Sequence, residues 1–475
     1  MQASLFLVLL LLFTACGKRL TGNERPDQPN VIVIFTDDQG YRDLSCYGSK
    51  DIETPNIDKL AREGVRFTNF YVGQPVCSAS RAALLTGCYP SRVGIQGALF
   101  PNAKIGLNTR EVTIAEICKS KGYRTAMVGK WHLGNEPEFL PTKQGFDKYL
   151  GVPYSNDMWP KHPDNQLHKF PRLPLIKNDS VIDYFDEDQN NLTTLYTNEA
   201  IRFIEASKDN PFFLYLAHNM PHVPLFVSEK FRGKSEAGLY GDVIMEIDWS
   251  VGTIMETLKK FDLDDNTLVI FTSDNGPWLS YGKHAGSAFP LREGKGTVFE
   301  GGVRVPCIMR WPGNIPPGIV QEKAAMSIDI LPTIANLIDA PLPENKIDGK
   351  DIWPLMIGEP AARPSHDAFY FYFNQNELQG MRSGKWKLYF PHTYRSFEGR
   401  QGRNDGMPTN YEPVKVGLEL YDLENDIGEK NNVADQYPAV VDSLQTRAAS
   451  FRKKLGDSLT GVQGSEVRQP GRIGE

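Results

Sequence analysis

Four short apolar runs, each followed by a cluster of polar residues, constrain the fold of this chain more than any other feature. Uninterrupted apolar runs of this length are typical of strands buried on both faces of a parallel sheet. The carboxyl ends of parallel strands share one edge, where sites form, so the polar residues are predicted to meet in one crevice. The runs and the polar residues that follow them are Val31–Phe35 with Asp37 and Asp38, Thr125–Val128 with Lys130 and His132, Phe212–Ala217 with His218 and His222, and Leu268–Thr272 with Asp274 and Asn275.

Helical patterns separate these runs. Thr54 and Pro55 start a helix that stops at Gly64, and Val112–Lys121 and Asp242–Phe261 carry apolar residues at helical spacing. Strands that alternate with helices favour an α/β fold, in which helices sandwich a mostly parallel sheet.

The character of the sequence changes after about Lys350. Short strand-like runs joined by turns predict a smaller C-terminal α+β subdomain with an antiparallel sheet. These runs are Phe369–Phe373, Gly380–Ser383, Trp386–Phe390 and Leu418–Asp422. A chain of 475 residues is long for one domain. We therefore predict a main, site-bearing domain over residues 30–350 and a subdomain over residues 351–475.

The N-terminus is predicted to be an export signal. Leu5–Phe13 is too short to span a bilayer as an ordinary helix. Phe13-Thr14-Ala15-Cys16 is similar to a bacterial lipobox, in which Cys16 is lipidated after cleavage. The prediction is a signal over residues 1–16, a tether over residues 17–29, and a bacterial lipoprotein in the periplasm or at the outer membrane or cell surface. Membrane contact is expected only through this anchor, and ordinary secretion is the alternative.

Charge and cysteine content narrow the partners. The net charge of −6 gives no general attraction for polyanions, so nucleic acid is not an expected partner. An anionic substrate would instead be attracted by a few local cations. Besides Cys16 and Cys77, four cysteines remain that are either disulfide-bonded or buried thiols, namely Cys46, Cys88, Cys118 and Cys307.

Asp37, Asp38, Asp274 and Asn275 form a candidate metal site. Three carboxylates and an amide oxygen are hard ligands that suit Ca²⁺, with Mg²⁺ as the second possibility. Each pair alone is also compatible with an ordinary turn. Their repetition at two strand ends favours the metal.

The segment Cys77-Ser78-Ala79-Ser80-Arg81, followed by Leu85-Thr86-Gly87, resembles the signature of the formylglycine-dependent (type I) sulfatases. This family belongs to the alkaline phosphatase superfamily, and the resemblance is to its arylsulfatase A and N-acetylgalactosamine-6-sulfatase branch. Further matching motifs are Gly129-Lys130-Trp131-His132-Leu133-Gly134, Pro221-His222, Ser273-Asp274-Asn275-Gly276, Gly294-Lys295 and Leu420-Tyr421-Asp422.

The resemblance implies an alkaline phosphatase-like fold and a role for each matching residue. A maturase would oxidise Cys77 to formylglycine, whose hydrate supplies the nucleophilic hydroxyl and a ligand to the cation beside Asp37, Asp38, Asp274 and Asn275. Ala79 in place of the commoner proline is similar to substrates of the radical-type maturases. The other implied roles are binding of formylglycine by Arg81 and His132, contact with sulfate by Lys130 and Lys295, protonation of the leaving alcohol by His222, and substrate contact by Ser155.

The implied reaction is hydrolysis of a sulfate monoester with release of inorganic sulfate, and a sulfated carbohydrate is the expected substrate. Two alternatives remain open: a phosphodiester or phosphonate monoester hydrolase with the same nucleophile, and a lipoprotein that binds sulfated glycans without turnover. The aromatic residues Trp159 and Phe369–Phe373, with His162, either line a sugar subsite or belong to the core.

Overall fold

The computed structural model describes residues 28–162, 165–397 and 399–474. The predicted signal, Cys16 and the tether up to residue 27 lie outside the described residues. The strands are β1 (Asn30–Thr36), β2 (Val65–Tyr71), β3 (Ile105–Gly106), β4 (Arg124–Lys130), β5 (Lys148–Val152), β6 (Leu173–Lys177), β7 (Ser180–Phe185), β8 (Phe212–Ala217), β9 (Thr267–Ser273), β10 (Arg304–Arg310), β11 (Ile319–Gln321), β12 (Ala325–Met326), β13 (Phe369–Phe373), β14 (Glu377–Ser383), β15 (Trp386–Tyr389), β16 (His392–Ser396), β17 (Glu412–Val416), β18 (Glu419–Asp422) and β19 (Gly471–Arg472).

Helices and short 3₁₀ turns connect the strands. They are α1 (Pro55–Arg62), α2 (Cys77–Thr86), α3 (Pro90–Val93), α4 (Ile114–Ser120), α5 (Asn165–His168), α6 (Leu192–Ser207), α7 (Gly238–Lys260), α8 (Glu300–Val303), α9 (Ile330–Leu337), α10 (Trp353–Met356) and α11 (Pro438–Leu455).

An eleven-stranded sheet forms the centre of the protein, in the order β11-β2-β10-β9-β1-β8-β4-β5-β6-β7, with β12 also paired to β2. The middle strands β9, β1, β8, β4 and β5 run parallel. Antiparallel pairing begins where β10 meets β9 on one side and where β6 meets β5 on the other. The predicted mostly parallel sheet is confirmed.

Strand β1 shows why both faces of this sheet are covered. Successive side chains of a strand point to opposite faces. Val31, Val33 and Phe35 pack in the core that contains α2, α4 and α9, whereas Ile32 and Ile34 pack in the core beneath α1, α6 and α7. The sheet is therefore sandwiched by helices, as the uninterrupted apolar run predicts.

The register of the central strands aligns their carboxyl ends. Phe35 is paired with Ala217 and with Thr272, and Ala217 is also paired with Gly129. The polar residues that follow β1, β4, β8 and β9 therefore leave the sheet within about one residue of the same row. This alignment creates the crevice in which the site lies.

The C-terminal part contains the separate antiparallel sheet β13-β14-β15-β18 and the two-stranded ribbon β16–β17. Near the end of the chain, β19 pairs with β3 and so returns to the main part of the protein. Most of the aromatic run Phe369–Phe373 is buried, and only Phe373 is partly exposed. The run therefore belongs mainly to the core, one of its two predicted alternatives.

Within the described residues the four cysteines with two predicted alternatives are free thiols, three of them buried and Cys46 partly buried: Cys46, Cys88, Cys118 and Cys307. Cys77 is also a free, buried thiol. Across the same residues, no helix combines the length and apolar character that crossing a membrane requires.

Candidate active site

The acidic residues predicted to bind a cation lie together at the ends of β1 and β9. The backbone N–H of Asp38 donates to Oδ1 of Asp274 at 3.0 Å, and Nδ2 of Asn275 donates to Oδ1 of Asp38 at 2.7 Å. Asp38 has a positive φ of 62°, a conformation that is costly for residues other than glycine and concentrates at functional sites. All four residues, including Asp37, are buried.

Cys77 is the first residue of α2. Its Sγ lies 3.5 Å from Oδ1 of Asp37 and 3.4 Å from Nζ of Lys295. Burial, together with Asp37, raises the pKa of the Cys77 thiol. The encoded side chain is therefore a protonated thiol, which is a weak nucleophile.

Arg81 lies one helical turn after Cys77 and joins three parts of the site. Its Nη2 donates to Oδ2 of Asp274 at 2.9 Å and lies 3.4 Å from Oδ2 of Asp37. Its Nη1 donates to the backbone oxygen of Lys130 at 3.0 Å. Arg81 thus fixes the two carboxylates and the end of β4 relative to the nucleophile segment.

Two lysines lie on either side of the acidic cluster. Nζ of Lys130 is 2.5 Å from Oδ2 of Asp37 and 3.0 Å from Oγ of Ser155. Nζ of Lys295 is 2.8 Å from Oδ2 of Asp38 and lies 4.5 Å from the centre of the Trp278 ring.

The opposite charges set the protonation states of this cluster. Burial raises the pKa of Asp37, but Lys130 and the other nearby cations outweigh it and hold the pKa well below its usual range. Burial lowers the pKa values of Lys130 and Lys295, but the carboxylates outweigh it and both pKa values are raised. Burial and the charge on Asp37 raise the pKa of Asp274 to about 7.

Two histidines are oriented by backbone carbonyl groups. Nε2 of His132 is 2.9 Å from the backbone oxygen of Leu99, while its buried Nδ1 has no hydrogen-bond partner among the described residues. Nδ1 of His222 is 2.5 Å from the backbone oxygen of Val223, which leaves Nε2 3.6 Å from Oδ2 of Asp38. Burial and the nearest lysine lower the pKa of each imidazole, Lys130 for His132 and Lys295 for His222.

His218 was predicted to meet the other polar residues in the crevice, as a structural residue, but it lies outside this cluster. Its Nε2 is 3.2 Å from Oγ of Ser250 on α7, and its ring packs near Tyr196 on α6. The structure therefore places it in the helix-covered core.

The donors present fit a hard divalent cation. Ligand atoms of Asp37, Asp38, Cys77 and His222 lie within 4.8 Å of one another. The buried Oδ1 of Asn275 has no hydrogen-bond partner in the described part of the chain, so this oxygen is available as a ligand. This close set includes His222, which was predicted to be the general acid and not a metal ligand. It does not include Asp274, whose carboxylate accepts hydrogen bonds from Asp38 and Arg81.

Trp278 is a site residue that sequence reasoning missed. Its ring centre lies 5.6 Å from that of His222 and 4.5 Å from Nζ of Lys295. The only signal in the sequence was its position three residues after Asn275, in a segment with no other pattern.

Comparison with known protein families gives three matches along the chain. The sulfatase family model matches residues 29–340. The model for the C-terminal part of N-sulphoglucosamine sulphohydrolase matches residues 294–398, and that for the C-terminal region of aryl-sulfatase matches residues 365–467.

Among individual proteins, arylsulfatase A of Homo sapiens is 40% identical over 471 residues, covering 92% of this chain and 89% of that protein. N-acetylgalactosamine-6-sulfatase of Sus scrofa is 37% identical, covering 92% of this chain and 87% of that protein. A crystal structure of Ps i-CgsB in complex with k-i-k-neocarrahexaose superposes with a TM-score of 0.75 at 31% identity, covering 92% of this chain and 96% of the other.

Proposed function

The chain belongs to the sulfatase family and is a sulfuric ester hydrolase of alkaline phosphatase-like fold, and from this premise we propose how its residues act. In this proposal Cys77 is oxidised to formylglycine, a divalent cation binds beside it, and the substrate is a sulfated carbohydrate. The observation that carries the proposal is the position of Cys77 Sγ, 3.5 Å from the carboxylate of Asp37 and 3.4 Å from Nζ of Lys295.

The cations of the site match the charge of the substrate. A sulfate ester carries one negative charge on its terminal oxygens, and Nζ of Lys130 and Nζ of Lys295 can stabilise that charge from two sides. When bound, a hard divalent cation supplies further positive charge next to the nucleophile. We assign Ca²⁺ to Asp37, Asp38, Cys77, Asp274 and Asn275, with Mg²⁺ as the alternative.

The histidines supply the proton transfers. Breaking the S–O bond places charge on the leaving oxygen, which needs a proton donor. Nε2 of His222 faces the cation cluster because its Nδ1 is bound to Val223, so we assign the imidazolium form of His222, with its second proton on Nε2, as the general acid. Nδ1 of His132 has no partner in the described structure, so we assign His132 as the base that accepts a proton when sulfate is released.

Two further residues hold the site in place. Arg81 contacts Asp37, Asp274 and the end of β4, so it can position formylglycine relative to both carboxylates. Oγ of Ser155 lies 3.0 Å from Nζ of Lys130, the lysine assigned to sulfate contact. We assign Ser155 to substrate binding through this contact.

Mass analysis of peptides that contain residue 77 tests the nucleophile. Replacing the thiol of Cys77 by an aldehyde lowers the peptide mass by about 18 Da. We expect this loss in active protein produced with a maturase that accepts the Ala79 motif, and Cys77→Ala should release no sulfate. Unmodified Cys77 in fully active protein would contradict the mechanism.

A rate comparison separates sulfatase activity from the two alternatives. Purified, matured protein should release sulfate from sulfate esters faster than it cleaves phosphodiesters or phosphonate monoesters. A higher rate on the phosphorus esters would favour the related hydrolase. Binding of sulfated glycans without sulfate release, with the aldehyde at residue 77 present, would favour the non-catalytic lipoprotein.

The substrate assignment rests on the relatives. Ps i-CgsB was crystallised with an oligosaccharide, and another relative is named for its action on a sulfated hexosamine. A panel of defined sulfated mono- and oligosaccharides, scored by sulfate release, tests this assignment against simple aryl and alkyl sulfates.

We also propose that the protein is exported and anchored through Cys16. Metabolic labelling with a palmitate analogue should mark the wild-type protein and not Cys16→Ser. Labelling of both proteins would contradict the anchor.

A further inference from the structure

Two adjoining cavities, with volumes of about 370 and 440 Å³, lie between the C-terminal strands and the catalytic loops. Both are lined by Phe373 and Asn374, so they adjoin at these two residues. One part is completed by Gly296, Arg395, Tyr411 and Glu412, and the other by Gln96, Gly97, Gln375 and Asn376. We call these residues together the C-terminal groove.

The groove begins next to the catalytic residues on two sides. Gly296 follows Lys295, whose Nζ is 3.4 Å from Cys77 Sγ. The backbone oxygen of Gly97 accepts a hydrogen bond of 3.2 Å from the N–H of Ala79, two residues after Cys77. A substituent that extends from a sulfate bound between the lysines therefore has the groove beside it.

The turn between β13 and β14 holds three consecutive residues in the left-handed region. Asn374, Gln375 and Asn376 have φ values of 44°, 55° and 72°, so three consecutive residues other than glycine are left-handed. Asn tolerates this region better than other residues with a side chain, which suits a tight hairpin turn. The turn exposes the amide side chains of Asn374 and Gln375. Nδ2 of Asn374 donates to Oε1 of Glu377 at 2.9 Å, whereas the amide of Gln375 can donate to and accept from sugar hydroxyls.

Arg395 gives the groove a cation. Its Nη2 donates to the backbone oxygen of Lys295 at 3.1 Å, and its guanidinium lies 4.7 Å from the centre of the Tyr411 ring. Its Nε is buried and has no hydrogen-bond partner among the described residues. Glu412 also lines the groove, but its carboxylate lies 3.3 Å from Nη2 of Arg400.

These features match an acidic sugar better than a neutral one. A guanidinium binds the paired oxygens of a sulfate or carboxylate through parallel hydrogen bonds. Phe373 and Tyr411 add aromatic surface of the kind that packs against a sugar ring.

We propose that the C-terminal groove is a subsite for the leaving-group side of an acidic glycan, in which Arg395 binds a second sulfate or a carboxylate. The inference rests on the proposed sulfatase function, and it adds the substrate class: glycans that carry a second anionic group besides the sulfate removed.

Selectivity measurements test this subsite. The substrates are a hexosamine monosulfate, the same hexosamine with a second sulfate, and a disaccharide of the monosulfated hexosamine with a uronic acid. Wild-type protein should show a higher kcat/KM for at least one doubly anionic substrate than for the monosulfate. The substrate that it prefers identifies the anion that Arg395 binds. In Arg395→Gln, the ratio of kcat/KM for that substrate to kcat/KM for the monosulfate should fall about 10- to 100-fold, as expected for loss of a charge-assisted hydrogen-bond pair.

Lys415→Gln is the matched control, because Lys415 is an exposed cation on β17 of the same ribbon and does not line the groove. Its ratio should stay within about 2-fold of wild type, as for a surface charge. Binding of the doubly anionic sugar to Cys77→Ala, with and without Arg395→Gln, measures the same contact without turnover. Arg395→Gln should weaken this binding about 10-fold or more.

Three results would overturn the inference. The first is a wild-type preference for the monosulfate, and the second is an equal fall for all substrates in Arg395→Gln, which would indicate only a structural role beside Lys295. The third is that the wild type releases sulfate neither from any of these substrates nor from simple sulfate esters. That result would overturn the proposed function as well.

Discussion

Replacing Lys387 with methionine should destabilise the protein by about 3–5 kcal/mol at pH 8, because it removes the cation shared by two buried carboxylates. Nζ of Lys387 lies 2.7 Å from Oε1 of Glu300 and 3.6 Å from Oε1 of Glu429, and all three side chains are fully buried. Methionine is similar to lysine in length and volume, so the substitution mainly removes charge.

Glu300 and Glu429 differ in the hydrogen-bond and ion-pair partners that remain after Lys387 is replaced. Glu300 retains Arg304 at 3.3 Å and the Tyr71 hydroxyl at 2.7 Å. Burial raises the pKa of Glu300, but Lys387 and the arginines outweigh it and bring the pKa to about 2. Burial raises the pKa of Glu429 to about 7, although Lys387 lowers it. Loss of Lys387 should therefore act mainly on Glu429.

The destabilisation should depend on pH. Between its ordinary pKa of 4.5 and about 7, Glu429 is protonated in the folded protein and ionised in the unfolded chain. The folded state then binds more protons, so the free energy of unfolding falls as pH rises through this window. Without Lys387 the folded pKa of Glu429 rises further, and the penalty should be larger at pH 8 than at pH 5.

Urea unfolding at pH 5 and pH 8 measures this difference. Lys385→Met is the control, since Lys385 lies 2.6 Å from Asp422 in a partly exposed pair that water screens, so its loss should change the free energy of unfolding much less. Glu429→Gln in the Lys387→Met background should recover part of the lost stability at pH 8. A Lys387→Met effect equal to the control, or equal at both pH values, would refute the electrostatic argument.

Three further outcomes are expected at the active site. His222→Asn should lower kcat about 10²- to 10⁴-fold on alkyl sulfates and much less on an activated aryl sulfate, whose leaving oxygen needs no proton; equal losses would contradict the general-acid role. Lys130→Met should lower kcat/KM about 10²- to 10³-fold in sulfate-release assays, and a change below 10-fold would remove Lys130 from the sulfate site. Chelation should abolish turnover and Ca²⁺ should restore it, whereas activity that survives exhaustive chelation would argue against the cation.

The centre of the fold was readable from sequence because each buried strand is an uninterrupted apolar run. Val31–Phe35 predicted β1 to within one residue at each end. Strand β2 was not predicted, because its sequence mixes Arg66 and Asn69 with apolar residues and its partners β10 and β11 come more than two hundred residues later. Pairing of this kind depends on tertiary contacts that no local pattern encodes.

The same distinction applies to the site. Residues directly after β1, β4 and β9 were predicted to meet because parallel register alone brings them together. The C-terminal groove was not predicted, since Gln96, Gly296 and Arg395 approach one another only through the docking of separate parts of the chain. The motif residues are therefore visible in the sequence, whereas the residues that would choose among substrates are not.

The burial of the site bears on which ester it accepts. Its formal charges cancel, since three carboxylates oppose three cations, and a divalent cation would then leave a net charge of +2 to attract an anion. A sulfate monoester and a phosphodiester both carry one negative charge, so attraction alone does not separate them.

The shapes of the two esters differ. A sulfate monoester ends in three bare oxygens, whereas a phosphodiester carries a second organic substituent. Cys77 is only 2% exposed and Lys130 is fully buried, so a second organic substituent would have to fit among buried side chains. Substrate preference in this protein should therefore be decided outside the buried cluster, where the leaving group meets the C-terminal groove.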